Sequence, residues 1–159
     1  MRLLESVVTN SSDAVLITNA AINQERGPDI IYVNEAFCKM TGYQPDEVIG
    51  KTPSMLEGPK TDAAEMSRLN LALKIGEPCT INVINYTKKN KEYRVEMVVK
   101  PMFDGSGRLT HYFAIQRDIT SQFKQQQQSR FMEIVSSTFK KHEGLVVSLS
   151  NVLKKLVEF

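Results

Sequence analysis

Three consecutive runs of alternating apolar and polar side chains constrain this chain most, at residues 80–87, 92–102 and 109–116. A period of two is typical of strands that bury one face. Short polar turns join the runs. Asn90 in the first turn is a residue type that tolerates positive φ, as such turns often require. The runs therefore predict an antiparallel meander, and in its first strand Ile81, Val83 and Asn85 share one face.

Two shorter β-rich runs and three helical segments precede these strands. The predicted strands cover residues 14–18 and 30–33, and the predicted helices cover residues 35–41, 44–47 and 62–74. Asn34 is suited to cap the first helix, and Gly42 to end it. The third helix takes its apolar side chains from Met66, Leu69, Leu71, Leu73 and Ile75. The residue pattern predicts an α+β domain with one mixed sheet and helices on one face.

The last forty residues change from a strand pattern to a helical one, with no proline and the single glycine Gly144 after residue 121. Apolar positions separated alternately by four and three residues predict a heptad seam. The seam consists of Phe131, Val135, Thr138, His142, Leu145, Leu149, Val152 and Leu156. Further apolar residues widen it, so a two-stranded coiled coil and a helical bundle both remain open.

The predicted organisation has three parts: an amphipathic helix at residues 1–11, a core at residues 12–120 and a linker helix at residues 121–159. The chain ends within the helical pattern, which indicates a piece of a longer protein. We expect a homodimer through residues 131–156, without a preference between parallel and antiparallel helices. An effector domain or partner protein is expected to attach through the same helix.

Composition excludes several classes of function. A net charge of +2 is too small to indicate nucleic-acid binding or attachment to an anionic membrane. No apolar run is long enough for a membrane span, and two cysteines without metal-like spacing fit a cytoplasmic protein. No catalytic set of side chains appears, so no enzyme activity and no metal site are expected. His142-Glu143 lacks the following Arg and Pro of a phosphoacceptor motif and falls on the seam.

Four segments resemble the PAS domain family, in particular its flavin-binding LOV branch. They are YVNEAFCKMTGYQPDEVIG, GPKTD, NYTKKNKEYRVEMVVKPM and FAIQRDIT, which follow the family's order and spacing over about residues 12–120. The resemblance implies a five-stranded antiparallel sheet cupped by short helices, followed here by a long C-terminal helix. It also implies a role in sensing and signal transduction.

The flavin-related residues of that branch are retained only in part. Pro53 stands where the branch has the cysteine that forms a light-driven bond to flavin. Ser54 and Asn70 stand where it has arginines for the flavin phosphate, and Arg68 is predicted to lie on the wrong face of its helix to replace them. The resemblance therefore implies a sensor without cysteinyl-flavin photochemistry, and no cofactor is expected, with FMN as the alternative.

Asn85 and Gln116 are retained from the amides that bind the flavin ring in the LOV branch. Together with Leu56 they are the candidate contacts of a core pocket, whereas Val95 and Glu57 replace two further amides. The leading hypothesis is a sensory module that relays a change in this core, through residues 118–120, to a dimerising helix. The alternatives are a ligand-free interaction module and the input fragment of a larger histidine kinase or cyclic-dinucleotide enzyme.

Overall fold

A computed structural model describes residues 12–21 and 27–157 of the protein, with side chains up to residue 141. The strands are β1 (Ala14–Asn19), β2 (Ile30–Val33), β3 (Cys79–Tyr86), β4 (Glu92–Phe103) and β5 (Leu109–Asp118). The helices are α1 (Glu35–Thr41), α2 (Pro45–Val48), α3 (Ala63–Ile75) and α4 (Thr120–Val157), with a 3-10 helix at Pro53–Leu56. The helix predicted at residues 1–11 lies outside the described residues.

The five strands form one sheet in the order β2-β1-β5-β4-β3, and every neighbouring pair is antiparallel. The antiparallel sheet that the family resemblance implied is confirmed. The mixed sheet expected from the residue pattern alone is wrong, because β1 inserts between β2 and β5 and runs opposite to both. Strand pairing between the first and last strands of a domain depends on contacts that are distant in sequence.

Alternation along the strands separates a covered face from an open one. Ile81, Val83 and Asn85 are buried, as their shared face predicted. In α3, Leu69 and Leu73 are buried, whereas Leu71 and Ile75 are 62% and 61% exposed. The two exposed residues lie on the far side of a helix with 3.6 residues per turn, so only part of the apolar set of α3 packs against the core. The most deeply buried apolar side chains are Phe37, Leu16, Ile30, Leu56, Ile81, Val48, Val83 and Val95.

Asn34 joins the first helix to the first strand. Its side-chain oxygen accepts hydrogen bonds from Phe37 N, as the predicted cap, and from Val15 N, both at 2.9 Å. Its amide nitrogen donates to Asp13 O at 3.1 Å. Gly42 ends α1 with φ of 80°, and Asn90 has φ of 58° in the hairpin turn. The sequence indicated the cap, the helix end and the turn, but not the link from Asn34 to β1.

The loop between the 3-10 helix and α3 lies against the ring of Tyr86. The Tyr86 hydroxyl accepts a hydrogen bond from Lys60 N at 3.1 Å. Thr61 Oγ1 donates to Ile84 O at 2.6 Å and accepts from Gly58 N at 2.9 Å. A Cβ atom at Gly58 would lie 2.3 Å from Tyr86 Cε2. The loop therefore requires glycine at residue 58 because of the close approach of this ring.

We expect Gly58→Ala to lower the free energy of unfolding by about 1–3 kcal/mol, the usual cost of overpacking. Urea unfolding followed by circular dichroism measures it. Gly105→Ala is the matched control, since a Cβ there meets nothing within 4 Å. Adding Tyr86→Leu to Gly58→Ala should recover part of the loss; equal effects of the two glycine variants would contradict the steric explanation.

The end of the sheet is fastened to the start of α4 by two hydrogen bonds to the backbone of Arg94 and one between Thr120 and Asp118. Ile119 N donates to Arg94 O at 2.9 Å, and Arg94 N donates to Thr120 Oγ1 at 2.8 Å. Asp118 Oδ1 accepts from Thr120 N at 2.8 Å. We refer to residues 118–120 with these bonds as the latch. It fixes Thr120, the first residue of α4, to β4.

The chain divides after Thr120 into two compact units. The second unit begins at Ser121, the second residue of the continuous helix α4, which spans 38 residues or about 57 Å at 1.5 Å per residue. Phe131 and Ile134 on its apolar stripe are 65% and 58% exposed, and Val135 is half-buried. The predicted seam residues Leu145, Leu149, Val152 and Leu156 belong to the helix, but their side chains lie outside the described part.

Candidate functional site

A cavity of about 70 Å³ lies between the sheet and the helices that cover it. All three predicted pocket residues are in its wall: Asn85 from β3, Gln116 from β5 and Leu56 from the 3-10 helix. The rest of the wall is mainly apolar and includes Leu16, Met66, Leu69, Leu73, Met97, Val99 and Ala114. At about 10–15 Å³ per molecule, this space has room for about five waters.

Three buried oxygen atoms around the cavity are unpaired. Thr18 Oγ1, Asn85 Oδ1 and Gln116 Oε1 have no hydrogen-bond partner among residues 12–21 and 27–157. The three side chains are 5%, 5% and 1% exposed, respectively. An unsatisfied buried polar group costs about 1–3 kcal/mol. These atoms are therefore the groups that a bound ligand or ordered water would satisfy.

The strands place these three side chains by their alternation. Thr18 shares the inner face of β1 with Leu16, two residues earlier, and this period of two could have identified it from the sequence. Gln116 makes only a weak contact from its amide nitrogen to Met97 Sδ, at 3.5 Å. Tyr112 also lines the cavity and donates its hydroxyl to Leu73 O at 2.7 Å, which fastens β5 to the end of α3. Within residues 12–21 and 27–157, Tyr112 is thus held by a hydrogen bond, whereas the amide oxygen of Gln116 has no partner.

A second buried phenol lies behind the cavity, beside Asn85. Tyr93 pairs with Asn85 across β3 and β4, and its hydroxyl has no hydrogen-bond partner in the described part of the chain. Burial raises the pKa of Tyr93 well above its usual value, and the neighbouring Asn85 side chain only partly opposes the rise. The phenol therefore stays protonated within the sheet.

Glu57 is the charged residue in the described wall of the cavity. It lies at the mouth, with much of its surface in contact with solvent, and partial burial of its carboxyl raises its pKa. An acid whose pKa is raised on folding binds more protons in the native than in the unfolded state. Its contribution to stability therefore falls as the pH rises from the unfolded pKa towards the folded one.

We expect Glu57→Gln to be more stable than the wild type at neutral pH, with the difference disappearing in acid below the usual pKa of a glutamate. Melting temperatures between pH 4 and pH 7 measure this difference. Glu77→Gln, at an exposed position after α3, is the matched control. A difference that grows towards acid would mean that the carboxylate, rather than its protonated form, is favoured by the fold.

The wall offers hydrogen bonds to a ring but no cation to a phosphate. Among the described residues, none of the basic side chains lines the cavity. Ser54 and Asn70, at the two positions where the LOV branch has arginines, are exposed. Arg68 instead binds Glu65 Oε2 at 2.7 Å and Thr80 O at 2.6 Å. The cavity residues therefore offer amide oxygens as hydrogen-bond acceptors to the ring of FMN, but they offer no cation to its phosphate dianion.

The two cysteines lie away from the cavity. Pro53 is in its wall, whereas Cys38 belongs to α1 and Cys79 begins β3, and neither is among the described lining residues. Both thiols are free, and burial raises the pKa of Cys38. A nucleophilic sulfur is thus lacking in the described wall, and the wall residues support binding rather than covalent chemistry.

Gln116 also borders an outer groove of about 440 Å³ at the ends of β1 and β5. Arg117 there forms a bidentate pair with Asp13, at 2.7 Å and 3.1 Å, and its guanidinium lowers the pKa of that carboxyl. Lys39 of α1 lies across the groove. Gln116 therefore separates the cavity from the surface, two residues before the latch begins.

Neither a metal-binding cluster nor a membrane-spanning helix is found among the residues that the structure describes. In that part of the chain, histidine, cysteine and acidic side chains form no cluster of three or more that could hold a metal ion. Among the same residues, no helix is long and apolar enough to cross a membrane.

Comparisons of this sequence with known proteins point to one family. The sequence model of the PAS domain family matches residues 12–121. A blue-light-activated histidine kinase of Brucella ovis is 29% identical over 144 residues, which cover 87% of this chain and 28% of the kinase. The corresponding kinase of Brucella anthropi is 35% identical over 108 residues, covering 67% and 21%. The chain thus spans less than a third of the length of these relatives.

Solved structures give the same family. An RNA-binding light-oxygen-voltage receptor has a TM-score of 0.73 and 26% identity, over 83% of this chain and 36% of that one. The LOV domain of a blue-light activated histidine kinase from Erythrobacter litoralis has a TM-score of 0.62 and 29% identity, over 68% and 96%. The second match covers nearly the whole of that LOV domain.

Proposed function

Because the chain belongs to the PAS domain family, we propose that it is a sensory module that relays a change in its core cavity to the self-association of α4. The observation that carries this proposal is the position of Gln116. Its amide oxygen is unpaired in the cavity wall, and its strand reaches the latch two residues later. A ligand that binds this amide would shift the end of β5.

The latch provides a short route from such a shift to the helix. Met97 of β4 pairs with Gln116 of β5, and Arg94 on the same strand holds both Ile119 and Thr120. A changed hydrogen bond at Gln116 would therefore be felt at both strands that fix the first residue of α4. Partner exchange along the apolar stripe of that helix is a suitable two-state element for the output.

The dimer through residues 131–156 is testable by light scattering. Truncation after residue 120 should reduce the measured mass to that of a monomer, because it removes the apolar stripe. Circular dichroism should show that the truncated protein retains its sheet. A dimer that survives this truncation would contradict the role of α4.

The second candidate function is that of an input domain within a larger protein. The matched kinases are more than three times as long as the matched segment, which favours an input domain joined through α4 to a kinase or another effector. We propose that the 159-residue chain has no catalytic activity of its own. Labelling with radioactive ATP tests this directly, since autophosphorylation of the isolated chain would contradict it.

The remaining parts of the proposal concern chemistry and location. With Pro53 in the cavity wall, we propose that the module works without a cysteinyl-flavin bond, and that its location is cytoplasmic. The RNA binding of one structural relative is not extended to this chain, since the match covers only 36% of that receptor and the net charge here is +2.

A further inference from the structure

We infer that the cavity selects an uncharged, hydrogen-bonding ring compound and discriminates against the phosphorylated form of the same compound. This inference rests on the proposed function, in that it specifies the ligand of the same cavity. It departs from the usual flavin nucleotide of the LOV branch. In the part of the chain that the structure describes, the cavity wall carries no basic side chain, while three of its buried oxygen atoms have no hydrogen-bond partner.

The interior of the cavity favours a ligand that carries hydrogen-bond donors. Thr18, Asn85 and Gln116 come from three different strands, and each presents an unpaired oxygen. Each can accept a hydrogen bond from a ring N–H or a hydroxyl group, and their burial makes such a bond strong. A purely apolar ligand would leave all three oxygen atoms unsatisfied, so it is disfavoured.

The mouth of the cavity disfavours an anion. Glu57 supplies an acidic group there, while the nearby cations already bind acids. Lys60 Nζ lies 2.9 Å from Glu92 Oε1, and Arg68 binds Glu65. A phosphate placed near Glu57 would meet a like charge and find no free guanidinium in the described wall. An uncharged group at the same place would meet neither cost.

The size of the cavity sets a further condition. About 70 Å³ is below the range of about 300–1,000 Å³ usual for ligand pockets, so a ring compound must displace side chains. Met66 and Met97 line the cavity, and methionine adapts readily because it is unbranched. Tyr112, held by Leu73, is less able to move. Ligand entry should therefore repack the methionines between α3 and β4.

Riboflavin and FMN are the matched probes, because they share one ring and differ by a phosphate. Fluorescence titration of the full chain with each should give riboflavin a dissociation constant at least about tenfold lower than that of FMN. Glu57→Gln should reduce the ratio of the FMN to the riboflavin dissociation constant severalfold, because it should improve FMN binding. Glu77→Gln, exposed and outside the described wall, should leave it unchanged.

Three results would overturn the inference: equal affinities, tighter binding of FMN, or no binding of riboflavin up to its solubility limit. The proposed function fails separately, because its readout is the dimer. If riboflavin binds more tightly than FMN but the dimer dissociation constant does not change, the ligand selectivity stands and the relay to α4 is wrong. If the relay variants act as expected but riboflavin does not bind, only the ligand assignment is wrong.

Discussion

Replacing Asn34 by alanine is expected to lower the free energy of unfolding by about 1.5–5 kcal/mol, which includes the upper end of single-substitution effects. The side chain caps α1 and also accepts from the backbone of β1 at Val15. Loss of a cap alone costs about 0.5–2 kcal/mol, and leaving the buried Val15 N–H unpaired adds about 1–3 kcal/mol. Urea unfolding followed by circular dichroism measures the sum.

Two variants separate the causes of this loss. Asn70→Ala, at an exposed position of α3, should change stability by less than about 0.5 kcal/mol. Asn34→Asp keeps the accepting oxygen but removes the donor to Asp13 O, so it should lie between alanine and the wild type. A loss below about 1 kcal/mol for Asn34→Ala would show that water replaces the side chain and that the junction contributes little.

The second large effect is expected at the apolar stripe of α4. Phe131→Glu should raise the dissociation constant of the dimer about 100-fold, equivalent to about 2.7 kcal/mol. Aromatic side chains commonly anchor interfaces, and in a symmetric dimer the new carboxylate would be buried against the partner helix. Sedimentation equilibrium over a range of protein concentrations measures the constant.

Met132→Glu is the matched control for this variant. Met132 is 63% exposed, against 65% for Phe131, and it is adjacent in sequence. It lies about 100° further around the helix, outside the predicted seam. The dimer dissociation constant of Met132→Glu should therefore stay within about twofold of the wild-type value. If both variants dissociate the dimer equally, the heptad spacing does not define the interface.

Local signals predicted most of the elements. The period of two placed the three long strands, and the extent of α1, its cap at Asn34 and its end at Gly42 followed from residue types alone. Strand and helix ends differ by one or two residues, for example at β5, which continues past Gln116 to Asp118. The 3-10 helix at Pro53–Leu56 was missed because a four-residue turn has no hydrophobic period.

Contacts between distant segments could not be predicted from such signals. The position of β1 between β2 and β5, the bond from Asn34 to β1 and the bond from Tyr112 to Leu73 all depend on the assembled fold. In the cavity, the family resemblance identified Asn85, Gln116 and Leu56 as candidates. Thr18 was missed although the alternation of β1 places it on the same face as Leu16, and its position beside Asn85 and Gln116 depends on the assembled sheet.

The central claim is that the cavity controls the association of α4, and the most direct test is the dimer dissociation constant of Gln116→Leu. Leucine removes the unpaired amide, so the fold should be retained. Leu69→Met on α3 changes the same wall with little change in volume and without removing an amide, and it serves as the control. Sedimentation equilibrium should show a change of at least about fivefold for Gln116→Leu, the lower end of typical coupling between sites. An unchanged constant would contradict the relay and favour a ligand-free interaction module.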